Sequence, residues 1–169
     1  MTPLSLTGIE AGNWTLLEDD TQPQEGAAAI VPLGRLLEDS DALFDIAPIG
    51  ALVATDVPFT ALEPLVQKLA FVAIEFPAFG DGRGFSLAVR LRKDFGFKGE
   101  IRAHGPVMPD QALFLLRAGF DSVEVRDESR IDAFEAALSR YKDFYQSDYT
   151  GASSIAHRRS GGANHRIAS

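Results

Sequence analysis

The chain has no cysteine, which removes the thiolate nucleophile, Cys-ligated zinc and iron–sulfur clusters, and any dithiol redox pair. Histidine is almost as scarce. Of the three present, His157 and His165 fall in a Ser/Gly/Arg-rich tail, so His104 is the one imidazole of the body. A multi-histidine metal site is therefore not expected, and neither a metal nor a cofactor is assigned. No uncharged apolar run approaches the ~18 residues that would span a bilayer, and no basic segment followed by an apolar stretch opens the chain. A cytoplasmic protein without a membrane partner is the expectation. Positive charge is also short: 16 Lys and Arg stand against 24 Asp and Glu, for a formal charge of −8. The last twenty residues hold Arg158, Arg159 and Arg166 and no acid, so the remainder is more acidic still. Binding a phosphate backbone needs a positive face, so nucleic acid is disfavoured and a basic protein partner is mildly favoured.

What is present suits one compact unit. A chain of 169 residues fits a single domain, and an apolar fraction of 46% with twelve phenylalanines can fill a core without disulfide or metal staples. Residues 1–149 are expected to form one α/β domain. Residues 150–169 (TGASSIAHRRSGGANHRIAS) lack periodicity and predict a disordered tail.

Early in the chain, Trp14 to Glu18 predicts a short edge strand and Asp19 to Ala29 a loop. Ile30 to Leu37 predicts a short helix with Pro32 in its first turn. Ile49 to Val57 is β-like, and Ala61 to Leu69 repeats Leu at helical spacing. The pattern then sharpens. Leu69 to Phe76 (LAFVAIEF) is a nearly continuous apolar run, as in a parallel strand covered on both faces. Gly84, Leu87, Ala88, Leu91 and Phe95 mark one buried helical face, with Gly96 placed to end it. Gly99 to His104 (GEIRAH) is a second strand. Pro109 opens a helix through Arg117 that stops at Gly119. Ser122 to Arg126 (SVEVR) alternates as a third strand. Ser129 with Asp132 resembles a capping box, and Ile131, Phe134, Leu138, Tyr141 and Tyr145 mark the inward stripe of a last helix. Short strands alternating with helices require right-handed crossovers. The expected fold is α/β: a mostly parallel sheet of four to five strands, helices packed on its faces, and a βαβαβα core.

Ligands of such sheets sit beyond the carboxyl ends of the strands, which directs attention to Glu75 and the loop after it. Gly80, Gly82 and Gly84 let backbone amides approach an anion, Asp81 can cap the helix, and Arg83 can pair with phosphate, sulfate or sulfite, with Ser86 nearby. The spacing matches neither a Walker A loop nor the dinucleotide fingerprint. The other reading, favoured by the residues alone, is a tight strand-to-helix turn capped by Asp81. Glu75 and Arg102 sit near adjacent strand ends, where they serve either a ligand or an internal ion pair. His104 is the sole general-base candidate of the body, or an ordinary residue at a strand end. Asp110 and Gln111 occupy the first turn of the next helix, where the macrodipole favours Asp regardless of role. A homodimer built on the last helix is a further expectation.

The stretch FPAFGDGRGFSLAVRLRKDFGFKGEIRAHGPVMPDQALFLLRAGFDSVEVR resembles the core of the bacterial domain of unknown function 934, whose members show D-G-R-G-F/Y-S, then G-E/F-L/I-R-A, then D-Q and G-F-D. The resemblance runs from about Ile30 to Tyr145 and is strongest over residues 75–126. Members are commonly labelled oxidoreductases and encoded beside assimilatory sulfite reductase and adenylyl-sulfate reductase. It thus implies an accessory role in sulfate and sulfite reduction, with sulfite reductase or another sulfur-assimilation enzyme as partner. The alternative is a small oxyanion- or nucleotide-binding enzyme that uses loop 80–86. The family pattern falls here on Phe76, Pro77, Asp81, Gly82, Arg83, Gly84, Ser86, Arg102, Asp110, Gln111, Gly119, Phe120 and Asp121. Many relatives carry Cys where this chain has Ala118, so a thiol reaction shared by the family is not implied. The His104-Gly-Pro segment also departs from the pattern.

Overall fold

A computed structural model describes residues 2–17, 21–141, 144 and 147–150. The expected tail, from 151 onward, and Tyr145 lie outside the described residues. Among the described residues seven strands form one sheet: β1 (Thr2–Ser5), β2 (Thr15–Leu16), β3 (Ala29–Pro32), β4 (Ile49–Ala54), β5 (Phe71–Glu75), β6 (Glu100–His104) and β7 (Ser122–Val125). Their order is β1-β7-β6-β5-β4-β3-β2, parallel throughout except for β1 against β7. The α/β class holds. The sheet is larger than four to five strands, and it is mixed.

Two of the extra strands come from segments whose own pattern is weak. Ile30 to Pro32 was the expected start of a helix and Ala29 the end of a loop, but the helix α1 (Leu33–Phe44) begins only after Pro32, which stands at its N-cap with extended backbone. Proline restrains the residue before it to extended geometry, so Ile30 and Val31 are left to pair with β4. β1 is four residues long and gains its place by antiparallel pairing with β7, from Thr2 opposite Val125 to Ser5 opposite Ser122.

From β2 to β7 each strand lies beside its predecessor in sequence. Right-handed crossovers that always advance in one direction put every helix on the same side of the sheet. The packing agrees. Val31, Ala51, Val72, Ile74, Ile101, Ala103 and Val123 share one core with residues of α1, α2 (Phe59–Leu62), α3 (Arg83–Lys93), α4 (Ala112–Ala118) and α5 (Ile131–Ser139). The alternate residues Ile30, Phe71 and Ala73 form a separate small cluster with Trp14, Ala28 and Leu52, and among the described residues no helical one joins it. The expected two-sided helix cover is therefore corrected to one side: the strand order never doubles back, so no crossover reaches the other face.

Local signals mostly place the remaining elements. Gly119, at φ +105, ends α4 in left-handed backbone, where glycine alone carries no Cβ penalty. The helix expected over Ala61–Leu69 is one turn, although Leu62, Leu65 and Leu69 are buried. Ahead of α5, the cap is Asp127, which accepts from the Ser129 backbone N–H at 3.1 Å; the Ser129/Asp132 box does not form. α5 ends at Ser139, and Tyr141 beyond it is 60% exposed, not inward.

Candidate functional site

The face without helices carries the polar residues of the sheet interior. Side chains alternate along a strand, so β5 sends Phe71, Ala73 and Glu75 to this face, β6 sends Glu100, Arg102 and His104, and β7 sends Ser122 and Glu124. The register sets them in rows: Phe71 beside Glu100, Ala73 beside Arg102 and Ser122, Glu75 beside His104.

The two lower rows are an internal clamp. Arg102 is 3% exposed. Its Nε donates to Glu100 Oε1 at 3.0 Å and to Ser122 Oγ at 3.0 Å, and its Nη2 donates to Glu100 Oε1 at 2.8 Å and to the Gly12 carbonyl. The other carboxylate oxygen of Glu100 accepts from the Gly12 backbone N–H at 2.9 Å and from Trp14 Nε1 at 3.3 Å. The segment 12–14 is thus tied onto the sheet, with the Trp14 ring stacked on Phe71 at 4.9 Å between centroids. Burial pushes the Glu100 carboxyl up, but the hydrogen bonds from Ser122 and Arg102 and the Arg102 charge outweigh it, so the net displacement is downward. Arg102, a candidate to pair with Glu75 or a ligand, is taken up by Glu100.

The top row is different. His104 Nδ1 bonds Glu124 Oε2, and the two side chains keep 18% and 20% of their surface exposed. That hydrogen bond holds the Glu124 carboxyl below its ordinary value, so it is a carboxylate near neutrality and the imidazole Nδ1 carries the proton. His104 Nε2 is then the ring nitrogen left to accept a hydrogen bond. Glu75, the register neighbour of His104, is half-buried, and its side chain has no hydrogen-bond or ion-pair partner among the described residues.

The rim after β5 forms a second, separate cluster. Asp81 accepts from the Arg83 backbone N–H at 3.0 Å, from Arg83 Nε at 3.0 Å and Nη2 at 2.7 Å, and from Thr55 Oγ1 at 2.8 Å. Its side chain is only 11% exposed, and these bonds hold its carboxyl well below the usual range. Arg83 and Arg102 therefore serve different carboxylates in different clusters. Gly84 is a packing residue: a Cβ there would stand 2.6 Å from Phe76 Cζ, so α3 lies close on β5. Around Gly80 and Gly82 the space is open. Ser86 is exposed. Gln111 Nε2 donates to the Phe79 carbonyl at 3.2 Å and its Oε1 accepts from the Met108 N–H at 3.0 Å, joining the β5 and β6 loops. Asp110, next to it, is exposed.

Sequence reasoning passed over Glu100, Ser122, Glu124 and Trp14. Three of them had a signal: in GEIRAH and SVEVR every second residue is polar, the mark of a strand with one face outside the main core. Trp14 had none, since nothing local says which strand a loop aromatic will stack on. Among the described residues no group of three or more His, Cys, Asp or Glu is placed to hold a metal ion, and no helix is long and apolar enough to cross a membrane.

A singly wound, mixed α/β sheet with helices on one face and a polar row on the other defines the class of protein. The profile of the family described as bacterial protein of unknown function (DUF934) matches residues 50–156, and the chain belongs to that family. A comparison with curated proteins finds no match. Gly12 and Trp14 lie ahead of the matched residues, whereas Glu75, His104, Asp81, Arg83 and Glu124 lie within them.

Proposed function

We propose that the protein is an accessory of assimilatory sulfate and sulfite reduction, working in the cytoplasm with sulfite reductase, and that it meets its partner through the top row of the helix-free face. The observation carrying the reading is Glu75, a half-buried carboxylate without a partner among the described residues, set beside the oriented His104 imidazole. A carboxylate withdrawn from water calls for a donor or cation, and a basic group of a second protein would supply it. The acidity of the chain favours such a partner. Resemblance to a family encoded beside sulfite reductase supplies the pathway.

The competing reading, an oxyanion- or nucleotide-binding enzyme at loop 80–86, has less behind it, because the guanidinium it requires already makes a two-nitrogen pair with Asp81. The deciding experiment is a deletion strain grown with sulfate or with cysteine as sole sulfur source. Poor growth on sulfate alone, restored by the wild-type chain but not by Glu75→Gln, is the expected result. Normal growth on sulfate would refute the reading, as would failure of the tagged wild-type chain to retain sulfite reductase on purification.

A further inference from the structure

A groove of about 620 Å³ runs between α3 and α4 on the helical side of the sheet. Phe85, Val89 and Lys93 face it from α3 at four-residue spacing, so it follows that helix for ~12 Å. Phe79 and Gln111, joined by a hydrogen bond, close the end at the helix N-termini. Phe79 is 54% exposed, and Phe114, on the α4 wall, is 66% exposed. Large apolar side chains gathered this way on a surface mark an interface.

The chain itself arrives at the other end. Residues 147–149 line the groove at the helix C-termini. The Tyr149 backbone N–H donates to the Arg117 carbonyl at 3.2 Å, and a Cβ on Gly119 would stand 3.5 Å from Tyr149 Cδ1. Asp148 then accepts from the Thr150 N–H at 2.9 Å and from its Oγ1 at 2.6 Å, a local turn that delivers Gly151 at the groove wall. An extended chain covers ~3.3 Å per residue, so the stretch from Tyr149 to Ile155 reaches ~20 Å, more than the length of the groove. The residues also come in a suitable order. Gly151, Ala152, Ser153 and Ser154 are small enough to pass between two helices, and Ile155 is the first large apolar side chain to follow, arriving at the end held by Phe79 and Phe114. Arg158 and Arg159 come next, and at that end Asp110, in the turn ahead of α4, offers an exposed carboxylate. Arg117 is not called on, since its guanidinium already stacks on the Phe144 ring at 4.0 Å. The family profile runs on to residue 156, so the segment through Ile155 belongs to the matched sequence.

We infer that residues 151–159 of the same chain fold back along the α3–α4 groove, with Ile155 seated against Phe79 and Phe114 and Arg158 and Arg159 beside Asp110. The site lies on the side of the sheet opposite the top row and does not depend on the pathway reading. In the full chain, amide hydrogen exchange over residues 151–156 should be slowed about tenfold or more relative to a free peptide of that sequence. Phe114→Glu and Ile155→Asp should each return these amides to the peptide rate, and Ile155→Asp should also increase binding of an apolar fluorescent dye. Asp110→Arg should reduce the protection, and Arg158→Asp with Arg159→Asp in the same chain should restore it, because the facing charges are then again of opposite sign. Melting curves identify any variant that fails to fold, and Ile155→Asp, which lies outside the described fold, keeps the test alive if Phe114→Glu is lost. Exchange at the peptide rate in the wild type, protection indifferent to Ile155→Asp, or a charge reversal that restores nothing would overturn the inference. So would protection that grows with protein concentration alongside a doubled mass in sedimentation equilibrium, since the groove would then be filled by a second copy.

Discussion

The guanidinium carbon of Arg102 stands 3.6 Å from the centroid of the Trp14 ring, so one buried cation holds the sheet, through Glu100 and Ser122, and the loop that covers it. Removing that cation strands a carboxylate. Arg102→Ala is expected to destabilise the fold by about 3 kcal/mol, since breaking a largely buried pair leaves the other charge uncompensated. Arg102→Lys should recover only part of this, because an ammonium replaces neither the fork nor the stacking plane. Trp14 is the sole tryptophan. Its emission should shift to the red in both variants under conditions where circular dichroism remains native, and an unchanged spectrum would show that the loop is held by something else.

Gly50 lets that loop close. A Cβ at this position would sit 2.8 Å from the Phe71 carbonyl oxygen and nearer still to the Phe71 ring, which is the surface Trp14 stacks on. Gly50→Ala is expected to cost about 1–3 kcal/mol by overpacking and to shift Trp14 emission as well. Gly82→Ala is the contrast: the space around it is open and its φ is −85°, so denaturant midpoints should stay within about 0.5 kcal/mol of wild type.

How far the sequence reached depended on whether a segment's structure is decided locally. The α3 stripe at Gly84, Leu87, Ala88 and Leu91 is buried as its spacing predicts, and Gly119 stops α4 through its own backbone freedom. The LAFVAIEF run is covered on both faces, but the second cover is Trp14 and the neighbouring strands, not helices. Pairing across the sheet is what a single chain read in order cannot show: β1 is a strand only because β7 offers an edge. The candidate residues were legible as types and as strand-end positions. Their grouping was not, because Glu100 and Glu124, which claim Arg102 and His104, are chosen by face and register.

The clamp and the top row also set how stability varies with acidity. Glu100 and Glu124 both titrate below the ordinary 4.5 in the folded chain. A depressed carboxyl contributes stability that is fully present above the unfolded value and is lost as pH falls through the folded one. The stability of the wild type should therefore be flat on the acid side of neutrality and decline below about pH 4.5. Glu124→Gln keeps an acceptor for the imidazole but not its charge, so it should cost about 1 kcal/mol at neutrality. Urea midpoints of the two chains should converge as the pH is lowered below 4.5. A gap that stayed constant into strong acid would mean that the His104 contact contributes no charge-dependent stability.

The rim loop offers the sharpest test between the two functional readings. In the wild type, an anion at Arg83 must displace a carboxylate that holds the guanidinium through two nitrogens and is itself steadied by Thr55. Calorimetry with sulfite or sulfate is therefore expected to show no saturable binding to the wild-type chain at millimolar concentrations. Asp81→Ala releases Arg83 and removes the competing charge, so any anion affinity latent in the loop should emerge in this variant and vanish in Asp81→Ala/Arg83→Ala. Tight sulfite binding by the wild type that Arg83→Ala abolishes would reverse the order of the readings. The loop would then be the site, and Asp81 a gate that the anion opens by taking its place.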